Sequence, residues 1–430
     1  MMRLNRCYWI LIALASSACS SSGYLTKAIQ KTEKDLHDHV GFVLFDPSTQ
    51  KTICDYQGDQ YFTPASNTKI FTLYASLKIL GDSIPALKYS QRNDSIIFWG
   101  TGDPGFLYEN TFHEDRVYNF LKNNTSKIFF SSSNFQTTHF GAGWAWDDYN
   151  DAYQVERTPF PIYGNYASVK KSIKSFTASP DVFQYSIMEP SVKERGVMKR
   201  SISENKLTYI PGKTDRPRQW KIPFHYSDEL LTKLLTDTLK KEVSLINVNP
   251  TSDVRTIYSS TPPDSLYKVL MQESDNFIAE QLLLICSGVV SDTLKTEIAI
   301  KYVKKNYLTD LPDEPIWVDG SGLSRYNLFT PRSVIRLWEK IYAIVPRERL
   351  FHILAIGGER GTIKNYYKGE KPFIFGKTGT LSNNHILSGY LVTRKGKTFI
   401  FSWMNNNFTA PTGEVRSKME ELLKKIYEKY

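Results

Sequence analysis

Three short polar motifs in a fixed order constrain this chain more than any other feature: Ser66-Asn67-Thr68-Lys69, Ser274-Asp275-Asn276 and Lys377-Thr378-Gly379. The first follows a breaker, Pro64, and opens a stretch whose apolar residues Ile70, Phe71, Leu73, Tyr74, Leu77 and Leu80 keep helical spacing up to a stop at Gly81. Ser66 is thereby placed in the first turn of a buried helix. Lys69, three residues on, shares its face. The second motif lies between two helical patterns, one through Leu266, Val269 and Leu270, the other through Phe277, Ile278, Gln281 and Leu282. The third, Lys377-Thr378-Gly379-Thr380, reads as an edge strand. Taken singly, Ser66 is an N-cap, Lys69 a solvated lysine, Ser274-Asp275-Asn276 an interhelical turn and Lys377-Thr378-Gly379 the start of a strand. It is their joint order and context that outweigh those readings.

The residue types suit acyl transfer. A nucleophilic serine needs a base and an oxyanion site, and a helix N-terminus offers oriented N–H groups and a favourable dipole. An ammonium is no base at neutral pH, so Lys69 must be largely neutral or lose its proton on substrate binding. Burial and a second cation, Lys377, both push its pKa down. Ser274 can relay a proton to a leaving amine, and Asn276 can hold a substrate amide. Gly379 lets a substrate backbone approach closely. Lys377, Thr378 and Thr380 can bind a terminal carboxylate, and the Thr380 N–H can join the Ser66 N–H as the oxyanion hole.

If the motifs meet, the 208 positions from Ser66 to Ser274 must leave the catalytic unit and return to it. The texture agrees. Residues 88–250 alternate short β-prone runs (Ile96 to Trp99, Lys127 to Phe130, Phe183 to Met188) with Gly, Pro, Asn and Asp turns. On either side lie helical patterns, a hairpin (Val40 to Asp46 with Thr52 to Tyr56), and a second hairpin (Ile386 to Thr393 with Thr398 to Trp403). An amphipathic C-terminal helix follows, through Met419, Leu422, Leu423, Ile426, Tyr427 and Tyr430. The expected fold class is α/β: an antiparallel sheet flanked by the terminal helices plus a helical lobe, formed by residues 24–87 and 251–430. A β-rich domain, 88–250, is inserted between the first and second motifs.

Aromatics at 13% and charged residues at 23% of 430 residues fit a globular protein and argue against disorder. The apolar run Tyr8 to Ala15 is far too short for a membrane-spanning helix. With Arg3 and Arg6 before it and Ser16-Ser17-Ala18 after, residues 1–18 read as an export signal. Small residues before Cys19 resemble a bacterial lipoprotein signal, which implies lipidation of Cys19 and a flexible tether over 19–23. Ser16 stands where that pattern usually has Leu, and cleavage at Ala18 without lipid is the alternative. Removing two arginines with the signal lowers the net charge from +10 to +8. No run of five or six like charges occurs, so there is no nucleic-acid footprint. Of the remaining cysteines, Cys54 and Cys286 are expected as free thiols. No Cys or His spacing suggests a metal, and no cofactor is implied.

At these residues the chain resembles the class C penicillin-binding proteins, a family of serine-type D-alanyl-D-alanine carboxypeptidases/endopeptidases. Asp319-Gly320-Ser321-Gly322-Leu323-Ser324-Arg325 with Asn327 and Thr330-Pro331, Gly102-Asp103-Pro104, and Gly143-Trp144-Ala145-Trp146-Asp147-Asp148 extend the likeness over about residues 40–405. The large insertion after the first motif is what most separates this family from other penicillin-binding enzymes. The resemblance implies a transpeptidase-like domain with a second domain inserted and a third, here reduced, nested within it. It implies cleavage of the terminal D-Ala of peptidoglycan stem peptides, with cross-link cleavage in some members, and β-lactams as inhibitors. The export signal and the lipoprotein-like residues before Cys19 give the expected location, periplasmic and lipid-anchored to the cell envelope. It assigns Asp148 and Arg325, with Tyr153 alongside, to the amino and carboxylate groups of the stem peptide's side chain; as residues alone they read equally as a turn carboxylate and a surface ion-pair partner. Ser382 stands where some relatives have Gln. Two other readings share these motifs: a β-lactamase-like hydrolase, whose commonest class needs an E-x-x-L-N segment this chain lacks, and a non-catalytic wall-binding or β-lactam-sensing domain, which has no need of a nucleophile.

Overall fold

The computed structural model describes residues 23–108, 115–173, 175–183, 185–187, 195–214 and 216–430. The expected signal, Cys19 and all of the tether but Gly23 lie outside them, and Gly23 already opens a helix over residues 23–36.

The two expected hairpins join in one sheet. Six strands run antiparallel in the order Ala355–Ile356, Ile374–Leu381, Asn384–Val392, Thr398–Asn406, His39–Asp46 and Lys51–Tyr56. Strand alternation sends successive side chains to opposite faces. Leu387, Leu391, Phe399, Phe401 and Trp403 therefore face the first and last helices, residues 23–36 and Thr412–Lys429. Ile386, Tyr390, Ile400 and Met404 face the helical lobe. Both faces are covered, which is why these strands read as nearly unbroken apolar runs.

The helix Thr68–Ile79 is buried from Thr68 to Ser76 because it runs through the middle of the lobe, packed with Asn276–Ser291, Thr296–Tyr307 and Pro331–Ile344. Two of these neighbours begin on side-chain caps: Asp275 accepts from the Ile278 N–H at 2.9 Å and Thr330 from the Ser333 N–H at 3.2 Å.

The inserted segment has its own core. Its main sheet is mixed, in the order Val243–Leu245, Lys127–Ser131, Ser95–Gly100, Pro85–Arg92 and Arg255–Tyr258. This sheet overruns the expected 88–250 at both ends. Pairing supplies the reason: Arg255–Tyr258 has little apolar content of its own and becomes a strand by adding to Pro85–Arg92. Two three-stranded sheets, built between Tyr166 and Pro223, are nested in the connection from Lys127–Ser131 to Val243–Leu245.

Cys54 and Cys286 are both free and buried, in the separate cores on opposite sides of the six-stranded sheet. Among the described residues no helix is long and apolar enough to cross a membrane, and no cluster of His, Cys, Asp and Glu could hold a metal.

Candidate active site

Ser66 lies in a tight three-residue turn, Ala65–Asn67, that feeds the buried helix. Ala65 has φ of 47°, a conformation that side chains disfavour. It is held there from two sides. The Thr68 hydroxyl donates to its carbonyl at 2.9 Å, and Gly322 packs so closely that a Cβ there would sit 1.9 Å from that oxygen. Ser274 is a second left-handed residue, φ 61°, between a π-turn at Val269–Glu273 and the helix Asn276–Ser291. Backbone strain thus flanks Ser66 and sits on Ser274 itself.

Lys69 is fully buried and bonded on three sides. Its Nζ donates to Ser66 Oγ at 2.9 Å, Asn276 Oδ1 at 2.6 Å and the Ser321 carbonyl at 2.7 Å. Two of these partners can only accept, whereas the hydroxyl of Ser66 can accept or donate. A neutral Lys69 therefore keeps both acceptor-only bonds and takes a proton-donating bond from Ser66, with no movement of heavy atoms. Burial pushes its pKa down to about 8, against the opposing pull of Asp319, Asp275 and Glu280.

Lys377, also fully buried, donates to Ser274 Oγ at 2.8 Å and to the Thr378 carbonyl at 2.7 Å. Burial and then the charge of Lys69 hold its pKa well below the usual lysine range. The three motifs thus converge into two lysine–serine pairs.

The strand that carries Lys377 is an edge where it matters. Ala355–Ile356 covers only Phe375 and Gly376. The Gly357 N–H bonds the Ile374 carbonyl from that side, so by alternation the backbone groups of Thr378 and Thr380 face the open edge. Asn67 braces the strand from below: its Nδ2 donates to the Lys377 carbonyl at 3.0 Å, and its Oδ1 accepts from Ser388 Oγ at 2.5 Å. Gly379 answers the same crowding. A Cβ there would meet the Pro64 carbonyl at 2.6 Å and the Ser66 N at 2.9 Å, so the backbone that approaches this glycine is the turn that carries Ser66. Thr378 Oγ1 donates to Thr362 Oγ1 at 2.7 Å, and exposed Thr380 shares a 2.8 Å bond with the Nδ1 of His385. His385 is held neutral, its pKa pushed down to about 3 by burial and then by Arg416 and Lys377.

Comparison with known proteins matches residues 23–426 to the family model described as "D-Ala-D-Ala carboxypeptidase 3 (S13) family". The chain belongs to this family. It is similar to the D-alanyl-D-alanine carboxypeptidase DacB of Haemophilus influenzae, 23% identical with 88% of this chain and 87% of that protein covered. It is also similar to the penicillin-sensitive carboxypeptidase A of Dictyostelium discoideum, 22% identical over 85% of this chain and 81% of the relative. The crystal structure of Haemophilus influenzae penicillin binding protein 4 shares its fold, with TM-score 0.78 at 20% identity, covering 93% of this chain and 99% of that one. A second structure of that protein holds a β-lactam and matches with TM-score 0.73, 18% identity and the same coverage.

As a member of the S13 family this chain is a serine-type D-Ala-D-Ala carboxypeptidase. The segment between the first and second motifs also reaches the site. The Tyr153 carbonyl accepts from Asn276 Nδ2 at 2.8 Å, the Tyr108 hydroxyl donates to Asp275 Oδ2 at 3.3 Å, and Trp144 Nε1 donates to Asp319 Oδ2 at 2.9 Å. Both ends of the Asn276 amide are therefore engaged, one by Lys69 and one by the insertion. Asp148, in the turn Trp146–Asn150, is half-buried beside Tyr153. Arg325 is exposed, with no hydrogen-bond or acidic partner among the described residues. Ser382 is exposed at the end of the third-motif strand.

Sequence reasoning did not single out Asn67, Asp319 or Glu280 for what they do here. Asp319 accepts from the Gly322 N–H at 2.9 Å, the Ser324 N–H at 2.7 Å and Asn327 Nδ2 at 2.8 Å, and so shapes the loop that presents Ser321 to Lys69. The signal for Asn67 was available, since it is a polar residue next to the nucleophile at the mouth of an otherwise apolar helix.

Proposed function

We propose that this enzyme removes the terminal D-Ala of peptidoglycan stem peptides through an acyl-enzyme on Ser66, and also cuts D-Ala cross-links between stems. The observation that carries this reading is the Lys69 site, where a buried amine of lowered pKa bonds Ser66 Oγ at 2.9 Å and can exchange one proton with it.

Lys69 takes the Ser66 proton as Oγ attacks the penultimate D-Ala carbonyl. The oxyanion forms between the N–H groups of Ser66 and Thr380. The C–N bond then breaks, and the Ser274 hydroxyl, backed by Lys377, passes a proton to the departing amine. Water cleaves the ester: its hydroxyl joins the acyl carbon, its proton goes to the same relay, and Lys69 returns its proton to the leaving Ser66 Oγ. Lys377, Thr378 and Thr380 receive the terminal carboxylate, and Asn276 meets the substrate amide by exchanging its bond to the Tyr153 carbonyl. Gly379 keeps the strand close enough to the Ser66 turn for both oxyanion donors to converge. Asp148 and Arg325 read the charged groups of the stem's third residue, and the open charge of Arg325 supports this part.

β-Lactams acylate the same serine and leave slowly, since the chain lacks E-x-x-L-N. Residues 1–18 direct export, Cys19 carries the lipid, and the catalytic unit works in the periplasm on a net charge of +8 that suits an acidic wall.

Purified protein incubated with a stem pentapeptide is expected to release D-Ala, and Ser66→Ala to abolish release with an unchanged melting curve. No release by the parent enzyme, or full release by Ser66→Ala, would overturn the assignment. A long-lived benzylpenicillin adduct is expected by mass, and rapid turnover would favour a β-lactamase. Digesting cross-linked peptidoglycan reads the endopeptidase activity, and the mass of the mature N-terminus reads acylation of Cys19.

A further inference from the structure

Glu280 is a buried carboxylate that the reaction above does not use. It stands one helical turn after Asn276 on the helix Asn276–Ser291, so the two share a face, and it is 1% exposed. Its Oε1 accepts from the Ser321 N–H at 2.7 Å, while the carbonyl of the same residue accepts from Lys69 Nζ at 2.7 Å. Ser321 is thus held at its N–H by Glu280 and at its carbonyl by the general base. The other oxygen, Oε2, has no hydrogen bond and lies 3.5 Å from Arg157 NH1. Arg157 comes from the inserted domain, is 3% exposed, and is tied by NH1 to Thr296 Oγ1 at 2.9 Å and by NH2 to the Phe140 carbonyl at 2.9 Å.

We infer that Glu280 is a positioning residue for Lys69: it aims the Ser321 carbonyl at the lysine and supplies a balanced negative charge, through which the inserted domain's Arg157 is linked to the base. The inference rests on the role of Lys69 proposed above.

The charged and titratable groups around Glu280 and Lys69 come from four elements. Asp319 lies on the loop that carries Ser321, Arg157 on the insertion, Lys69 on the nucleophile helix, and Asp275 at the start of its own helix. Burial, then Asp319, raises the Glu280 pKa to about 7, with Arg157 opposing. Above that pH its charge favours the ammonium form of Lys69. A fully apolar replacement would lose the Ser321 anchor as well as the charge, whereas glutamine keeps an acceptor and loses only the charge. Removing the charge must lower the pKa of Lys69 and extend activity to lower pH.

The test is the pH dependence of benzylpenicillin acylation, read as second-order rates between pH 5.5 and 9.5. With Glu280→Gln the acid limb is expected to move down by about half a unit or more. The double variant Glu280→Gln/Arg157→Gln removes both charges and is expected to return the limb toward its parent position. Glu280→Ala is expected to slow acylation at the plateau by about tenfold, the loss of alignment at Lys69. The double variant also avoids an unpaired buried guanidinium, so one folded variant is available if Glu280→Gln unfolds. An acid limb that stays in place in folded Glu280→Gln, or one in the double variant lying further from the parent than in the single variant, would overturn the inference. Failure of the parent enzyme to be acylated at all would instead overturn the proposed function.

Discussion

The side-chain amide of Asn67 donates to the main-chain carbonyl of Lys377 at 3.0 Å, so the residue after Ser66 holds the strand that carries the second buried lysine of the motifs. Both residues are fully buried, and Asn67 Oδ1 is in turn held by Ser388, whose oxygen accepts from Trp338 Nε1 at 2.9 Å. Helix, strand and lobe are locked at one point.

Asn67→Ala is therefore expected to leave two buried groups unpaired and to cost about 1–3 kcal/mol of stability. Urea unfolding measures the loss, and β-lactam acylation should slow as the Ser66 and Thr380 amides lose register. A neutral result in both would show that water replaces the amide.

Gly379→Ala places a methyl 2.6 Å from the Pro64 carbonyl, and backbone has no flexible end to move aside. Acylation is expected to fall by at least about tenfold through misplacement of the oxyanion donors. Circular dichroism should show the fold retained, because the strand can shift outward at its open edge.

The pH dependence follows from Lys69. Below about pH 8 it is an ammonium and cannot take the Ser66 proton; above it, the neutral amine predominates. The acylation rate should rise with pH, pass half of its maximum near 8 and level off about one unit above. Lys69→Arg remains protonated throughout and is expected to lose more than about a hundredfold.

Asp38 tests the stability side of electrostatics. It is 6% exposed, neither carboxylate oxygen is hydrogen-bonded, and burial together with Glu33 raises its pKa to about 7. Between its ordinary value, about 3.9, and about 7 the folded state binds more protons than the unfolded state, so stability falls as pH rises through that window. Asp38→Asn should raise the melting temperature at pH 8 and leave it nearly unchanged at pH 3.5. An equal gain at both values would trace the effect to packing instead of charge.

Local physics determined much of this protein from the sequence alone. The period of Ile70 to Leu80 specified the buried helix, the i to i+3 spacing put Lys69 beside Ser66, and two adjacent apolar runs specified the hairpin Ile386 to Trp403. Each depends on residues close together in the chain, where backbone geometry leaves few options. Only the tertiary structure decided what meets at the site from afar: Asn67 with Lys377, Ser321 between Lys69 and Glu280, and Tyr153, Trp144 and Arg157 against Asn276, Asp319 and Glu280 in turn. No periodicity encodes such contacts, because polar side chains and carbonyls are bonded by whichever partner packing brings within reach. The same holds for Gly379, which sequence reasoning reserved for substrate and the fold uses for the nucleophile's own turn.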